Sequence, residues 1–178
     1  MAFSINTFRS TGMAGGGARP NLFQCVVAGQ GFAATNFQYL CKIASIPPST
    51  MGVVEVPYFG RMIKVPGNRT FDNLSVTVIN DEDYAIRNLV EQWMNKMNTH
   101  VGNKSEDPNT LQATMTIQHH GRDGTESIGG ETSGWVFTNI FPVALGEIGL
   151  DWGSNDTIEE FTIDFAYDYW VHGNQTAG

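Results

Sequence analysis

The segment Phe161–Trp170, FTIDFAYDYW, alternates between apolar and polar side chains. An extended strand places successive side chains on opposite faces, so this alternation predicts a strand. The aromatic face comprises Phe161, Ile163, Phe165, Tyr167 and Tyr169. The second face comprises Thr162, Asp164, Ala166 and Asp168. We expect the aromatic face to lie on a hydrophobic core, whereas the acidic face is consistent with solvent, a catalytic cleft or a surface that assembly covers.

Further strands are predicted where the alternation recurs. These segments are LFQCVVAG (22–29), NFQYLCKIAS (36–45), NLSVTVIN (73–80) and LQATMTIQHH (111–120). In NFQYLCKIAS one face is expected to hold Phe37, Tyr39, Cys41 and Ile43. Pro47-Pro48 ends that run, because proline cannot donate to a strand ladder. The following VVEVPYFGRMIKVPG (53–67) is interrupted by proline and glycine, which predicts a long loop or a hairpin rather than a central strand.

One segment changes to a helical period. Its apolar residues recur at the spacing of a single helix face: Ile86, Leu89, Val90, Trp93, Met94 and Met97. Asn80 is a plausible N-cap, and three acids follow it where they favour the positive end of a helix dipole. We therefore predict one amphipathic helix over about residues 82–98.

The 178 residues are enough for one well-buried core and too few for two ordinary domains. Strands on both sides of a single helix predict a mainly β, antiparallel domain, either a sandwich or a barrel, with that helix on its flank. We expect a flexible N-terminal arm at 1–18, one domain at 19–172 and a short C-terminal tail at 173–178. A polar, glycine-rich connection is expected at 121–134.

The composition restricts the classes of function. Charged residues make up only 16% of the chain, which is typical of surfaces that a partner covers. A net charge of −8 argues against a protein that holds DNA or RNA. The same charge would suit a wall past which a polyanion moves without sticking, or simply a soluble protein. No stretch is apolar enough for a signal peptide or a membrane span, so membrane insertion is not expected.

No residues are grouped as catalytic chemistry requires, so no enzyme, metal ion or cofactor is predicted. His119 and His120 are adjacent on a predicted strand and point to opposite faces. Glu160 and Asp164 would lie more than about 13 Å apart along a strand, too far for a glycosidase pair. Cys25 and Cys41 lack a ligand spacing and are read as small buried hydrophobic residues.

Two charged groups remain as candidate surfaces. The acids Glu160, Asp164 and Asp168 share the second face of the opening segment. The cations Arg61, Lys64 and Arg69 are too few for a nucleic-acid site, and we interpret them as contacts to an acidic neighbouring subunit.

Three segments, taken in this order, resemble the major tail tube protein of contractile-tailed bacteriophages. They are RPNLFQ (19–24), VPGNRTFDNLSVTVINDED (65–83) and IGLDWGSNDTIEEFTIDFAYDYW (148–170). The most specific features are the Pro-Gly-Asn-Arg-Thr-Phe turn into a strand and the final strand ending in Asp-Tyr-Trp. The resemblance extends from about Ala18 to His172, nearly the whole chain.

This resemblance implies hexameric rings that stack into a hollow tube, with DNA and a tape measure protein passing through the bore without specific binding. It also implies sheath, baseplate and terminator proteins as partners, and assembly in the host cytoplasm into a virion tail. The acids would then face the bore or a partner. For contact between rings we select the apolar residues of the 46–60 region, although half of them could instead cover the core: Ile46, Met51, Val53, Val54, Val56 and Phe59.

Two other interpretations stay open. A tube of a contractile secretion or injection system would share this architecture. A carbohydrate-binding or hydrolytic β-barrel could use Trp135, Trp152 and Trp170 to stack on sugars, although no acid pair accompanies them.

Overall fold

The computed structural model describes residues 4–13, 17–30, 32, 36–122 and 134–173. Most of the predicted 121–134 connection, part of the predicted arm and nearly all of the predicted tail lie outside these residues. The strands are β1 (Phe23–Ala28), β2 (Cys41–Ala44), β3 (Ser49–Tyr58), β4 (Arg61–Phe71), β5 (Leu74–Ile79), β6 (Ala113–His119), β7 (Trp135–Leu145), β8 (Glu160–Ala166) and β9 (Tyr169–His172). The helices are α1 (Ile5–Thr7), α2 (Phe37–Leu40), α3 (Ala85–Met97) and α4 (Pro108–Leu111), and a π-helical turn spans Phe8–Gly12.

Seven strands form one antiparallel sheet, and β3 and β4 form a second sheet of their own. The order in the large sheet is β1-β6-β7-β8-β5-β2, with β9 also paired to β7. Among the described strands the path ends at β1 and β2, so the sheet is not closed into a barrel. The mainly antiparallel fold with one substantial helix is confirmed.

Strand β7 joins the two halves of the large sheet. Its first residues pair with β9 and β6, and its last residues pair with β8. The register shifts beside Asn139, which has a φ of 58°. Such an irregularity bends a strand, and here it turns β7 from one half of the sheet toward the other.

The core is built from alternate residues of the central strands. Phe161, Ile163 and Phe165 of β8 are buried, as the sequence predicts. Val76 of β5 lies opposite Ile163 and is also buried. Because side chains alternate along a strand, the polar residues of β8 lie on the other side of the sheet.

Helix α3 lies on this core through the predicted apolar stripe. Ile86, Val90 and Trp93 are buried, and the remaining stripe residues pack against the same cluster. The Trp93 ring lies 5.8 Å from the Phe32 ring and 6.3 Å from the Phe165 ring. The Trp93 indole N–H donates a hydrogen bond of 2.6 Å to the Leu111 carbonyl oxygen.

The start of α3 differs from the prediction. Tyr84 occupies the N-cap position, and the Asp81 carboxylate accepts a hydrogen bond from the Ala85 N–H. Asn80 instead donates both its backbone and its side-chain N–H groups to Glu159. The helix therefore begins three residues after the predicted start, because Asn80 is held by the segment that precedes β8.

The segment NFQYLCKIAS is not one strand. Residues 37–40 form the short helix α2, in which the Asn36 carbonyl oxygen accepts from the backbone N–H groups of Tyr39 and Leu40. A helical turn places Phe37 and Leu40 on one face, and both contact the core. Tyr39 and Ile43, which the strand prediction placed on the same face as Phe37, are exposed.

The opening segment also contains a break that its alternation did not indicate. Strand β8 ends at Ala166, and the Asp168 N–H donates to the Thr138 carbonyl oxygen before β9 begins. The chain thereby pairs with β7 a second time. Tyr169 is 38% exposed, so its predicted core position is wrong, whereas Trp170 packs against the core.

The Pro-Gly-Asn-Arg-Thr-Phe stretch lies inside β4 and is not a turn. The register of β3 and β4 shifts here, and a Cβ added to Gly67 would lie 3.2 Å from the Gly52 backbone. Glycine at both positions therefore allows the two strands to approach closely at the irregularity.

We expect Trp93→Ala to lower the free energy of unfolding by about 3–5 kcal/mol, because it removes a large buried ring. Trp93→Phe keeps much of the apolar contact but loses the donor to Leu111, so a cost of about 1–3 kcal/mol is expected. Urea denaturation measures both, with Gln92→Ala on the exposed face of α3 as the control. A wild-type midpoint for Trp93→Ala would contradict this account of the core.

Stability should also fall at high pH because of Tyr167. Burial, together with the nearby Asp72 carboxylate, raises the pKa of Tyr167 to about 12. The folded state therefore retains this proton at a pH where the unfolded chain has lost it, and stability decreases as pH rises from about 10 to 12. Urea midpoints measured between pH 9 and pH 12 should decline less in Tyr167→Phe than in the wild type. Equal declines would show that Tyr167 does not contribute.

Candidate assembly surfaces

The hairpin formed by β3 and β4 stands apart from the core. Every residue from Ser49 to Pro66 is exposed. Its exposed apolar residues are Met51, Val53, Val54, Val56, Tyr58, Phe59, Met62, Ile63 and Val65. None of them belongs to the core cluster or packs against it. A two-stranded hairpin is only marginally stable by itself in water, so this one has the composition of a segment that a partner covers.

The register of the hairpin separates its two faces. Val54 lies opposite Val65, and Val56 lies opposite Ile63. Residues opposite each other across a strand pair share a face, so these four side chains form one apolar surface. The other face is mixed, because it carries Glu55 opposite Lys64.

The hairpin turn places an aromatic ring at its tip. Phe59 has a φ of 44° and Gly60 has a φ of 76°. Positive φ at both positions suits the twist of a hairpin but disfavours a bulky residue such as phenylalanine. The Phe59 ring lies 4.6 Å from the Tyr58 ring, yet Phe59 is 91% exposed, so neither turn geometry nor burial within the subunit explains the choice of this residue. Binding to a partner would explain it.

Five of the six apolar candidates lie on this hairpin, and Ile46 lies on the connection that leads into it. All six are exposed, so the alternative that half of them cover the core does not hold. The structure therefore brings these candidates together, whereas their role in contacts between rings stays a prediction.

The three cationic candidates all lie on β4. Lys64 forms an ion pair of 3.7 Å with Glu55 on the neighbouring strand. Both side chains are largely exposed, so this pair contributes little to stability. Arg61 and Arg69 form no ion pair with any residue in the described ranges.

The acidic candidates separate into two groups. Glu160 and Asp164 lie on the outer face of β8, where Glu160 forms an ion pair with Lys42 of β2. Asp168 lies beyond the end of β8 at the bend, and its carboxylate accepts a hydrogen bond of 2.6 Å from the Asn139 side chain. Strand alternation therefore places only the first two on a common face.

Metal-binding clusters are absent from the part of the chain that the structure describes. No set of three or more His, Cys, Asp or Glu residues could hold a metal ion there. Cys25 is buried and Cys41 is partly buried, and both are free thiols. A hydrogen bond with Cys41, together with burial, raises the pKa of the Cys25 thiol and makes it a poor nucleophile. No helix in the described ranges is long and apolar enough to cross a membrane.

The three tryptophans considered for sugar stacking, Trp135, Trp152 and Trp170, do not present a common stacking surface. The Trp135 ring lies 4.4 Å from the His172 ring and 5.5 Å from the His119 ring. Trp170 packs on the core beside Phe71, at a ring distance of 6.2 Å. Only Trp152 among the three is fully exposed.

Comparison with known proteins decides the family. The family model described as phage tail tube protein matches residues 10–173. The chain belongs to the phage tail tube protein family. This membership confirms the resemblance on which the sequence analysis relied.

Curated relatives of this tail tube family member come from bacteriophages. The tail tube protein gp19 of Enterobacteria phage T4 is 32% identical over 157 residues, which cover 86% of this chain and 90% of that protein. The tail tube protein of Serratia phage KSP90 is 28% identical over 171 residues, covering 92% and 94% of the two chains.

Solved structures show that the fold also occurs in contractile injection systems. The cap that terminates the anti-feeding prophage tube matches with a TM-score of 0.63 and 19% identity, covering 87% of this chain and 89% of that chain. The sheath-tube complex of an extracellular contractile injection system in its extended state matches with a TM-score of 0.58 and 18% identity, covering 96% and 97%. At these identities the likeness establishes the fold alone.

A second exposed apolar surface on this tail tube protein was not predicted from the sequence. The connection from β7 to β8, which we call the 146–159 loop, exposes Leu150, Trp152 and Ile158. A signal was present, because large apolar residues are unusual in a stretch rich in Gly, Asn, Ser and Asp. Their exposure could be recognised only after β7 and β8 were placed.

We expect Val54→Ser combined with Val56→Ser to leave the subunit folded and to impair its association. Both side chains are exposed, so a change in unfolding free energy of no more than about 0.5 kcal/mol is expected. Sedimentation velocity at increasing concentration measures association, and urea denaturation measures the fold. Val101→Ser is a matched control, because Val101 is an exposed valine far along the chain from the hairpin. Unchanged association of the double variant would exclude the apolar hairpin face as a contact.

Proposed function

We propose that this protein forms hexameric rings that stack into the hollow tube of a contractile phage tail. Membership of the tail tube family supports a structural role in that tube. The observation that carries the assembly step is the hairpin, whose apolar side chains are exposed on a subunit that already has a complete core of its own. Exposing an apolar surface of this kind to water is unfavourable, and the free energy falls when other copies cover it.

Two kinds of contact are needed. A contact that closes by rotation makes the ring, and a contact that repeats along an axis makes the filament. The outer edges of β1 and β2 supply unpaired backbone groups that neighbouring copies can use within a ring, and pairing them removes an aggregation hazard. The hairpin residues, with Ile46, supply the contact between rings, and Arg61, Lys64 and Arg69 supply charge to it. The arm at 1–18 would pack on a neighbouring subunit, since Ile5 and Phe8 within it are exposed.

The tube would conduct DNA and a tape measure protein through its bore without specific binding. The net charge of −8 supports this role, because an acidic wall repels a polyanion. Glu160, Asp164 and Asp168 are the acids that we assign to the bore or to a partner-facing surface. In this proposal no chemical step is catalysed, and the protein acts by assembling and remaining rigid.

The proposed partners are the sheath outside the tube, the baseplate and the terminator at its ends. The structural relatives include a sheath-tube complex, a sheath/tube terminator and a baseplate, which supports such contacts for this fold. We propose assembly in the host cytoplasm and a final place in the virion tail.

A tube of a contractile injection system is the second candidate, because two of the solved structures belong to an extracellular contractile injection system. The phage assignment is preferred, since the curated relatives named as phage proteins are 28% and 32% identical, whereas the injection-system chains are 19% and 18% identical. The carbohydrate-binding alternative has little support, because Trp135 and Trp170 use their rings within the subunit.

Negative-stain microscopy of the purified protein tests the proposal. We expect hollow tubes with a regular axial repeat, formed alone at high concentration or on a baseplate template. The Val54→Ser, Val56→Ser variant should give no tubes, whereas Val101→Ser should give tubes like the wild type. Monomers at every concentration, salt and template condition would overturn the proposed function.

A further inference from the structure

The 146–159 loop is held firmly at both ends. The Gly146 N–H donates a hydrogen bond of 2.7 Å to the Thr162 carbonyl oxygen, and the Gly146 carbonyl oxygen accepts from Arg87 at 3.2 Å. At the other end the Glu159 carboxylate accepts hydrogen bonds from Asn80 and from Tyr84. The base of the loop is therefore fixed to β8 and to the start of α3.

Between these anchors the loop presents large apolar side chains to solvent. Trp152 is 100% exposed and Leu150 is 78% exposed, and Ile158 is exposed as well. A fixed loop that exposes a complete indole ring has the character of an interface anchor, because buried tryptophan contributes strongly at contacts.

The strand register places this loop and the hairpin at opposite ends of the sheet. Strand β8 begins at Glu160, which lies opposite Ile79 at the end of β5, and the loop leads into that point. Strand β5 begins at Leu74, opposite Phe165, and the hairpin leads into that point. The hairpin and the loop are therefore attached at opposite ends of β5 and β8. A second copy displaced along β5 would present its hairpin to the loop of the first.

The two ends are also complementary in charge. The hairpin segment 49–71 contains Arg61, Lys64 and Arg69 and a single acid, Glu55. The loop contains Glu147, Asp151, Asp156 and Glu159 and no cation. Opposite charges around apolar centres favour one orientation of contact and disfavour contact between two identical ends.

We propose that the 146–159 loop is the surface that receives the β3–β4 hairpin of a second copy in the adjacent ring, with Phe59 packed beside Leu150 and Trp152. This inference rests on the proposed function, since it names the receiving surface for the contact between rings. It accounts for the exposed tryptophan and for the aromatic residue in a turn position that disfavours it.

Site-specific photo-crosslinking tests the contact. The full-length protein carrying p-benzoylphenylalanine in place of Phe59 is irradiated at the highest concentration reached and in any tubes that form. Mass spectrometry of the covalent dimer should locate the adduct within residues 147–159 of another copy. Leu150→Ser combined with Trp152→Ser should reduce that adduct by about tenfold, as loss of an apolar anchor predicts, while Val101→Ser should leave it unchanged.

The outcomes separate this inference from the proposed function. If tubes form but the crosslinker at position 59 reacts only with other segments, the loop is not the receiving surface, whereas the proposed tube function still holds. Monomers without tubes or intermolecular adducts under all conditions would overturn both.

Charge exchange gives a second test that does not depend on the crosslinker. Arg61→Glu with Arg69→Glu should raise the concentration needed for assembly by about tenfold, as the loss of about 1.4 kcal/mol would. Adding Asp151→Lys and Asp156→Lys to the same chain should restore much of the loss, because both ends then reverse together. If the variant with all four substitutions needed a still higher concentration for assembly than the double variant, the proposed pairing of the two ends would be wrong.

Discussion

The pairing of β8 with strands on both sides fixes the rest of the molecule. Its core face contributes Phe161, Ile163 and Phe165, which pack beneath Trp93 of α3. A slip of one residue in this register would exchange the buried aromatic face for the face that carries Thr162 and Asp164. The free-energy cost of burying those polar groups without partners makes a single register the stable one.

The same register attaches two different segments at the opposite ends of β5 and β8. The hairpin leads into one end of β5, and the 146–159 loop leads into β8 at the other end. The exposed apolar residues of both segments lie outside the core cluster, although Ile148 of the loop packs against it, so the ends carry surfaces that the core does not need. A subunit with two different ends makes heterologous contacts, and such contacts continue along an axis rather than stopping at a dimer. In the proposed tube, the axial contact would follow from where these two connections leave the sheet.

Local spacing was sufficient to predict β8, β5 and the face of α3, because each is decided by residues close in sequence. It failed where a distant partner decides the conformation. Residues 37–40 form a helical turn because Phe37 meets Phe32 and the core, and β8 stops because Asp168 meets Thr138 and Asn139. Alternation also could not distinguish a hairpin that covers the core from one that stands in solvent, since Val54 and Val56 suit both. The apolar character of the hairpin could therefore be predicted from the sequence, but its exposure, the second surface on the 146–159 loop and their attachment at opposite ends of the sheet required the structure.

The charge distribution opposes unguided association of subunits through the exposed apolar hairpin. A net charge of −8 repels identical copies at separations up to about a Debye length, roughly 8 Å at physiological salt. Apolar contact stabilises a complex only when the surfaces touch. Electrostatic repulsion therefore opposes unguided encounters before the hairpin can bind. The cations of the hairpin are an exception in an acidic molecule, and they lower this repulsion for one approach, with the hairpin leading toward an acidic end. In the proposed contact, the orientation with the weakest repulsion is also the one that would bury Phe59 and the exposed valines.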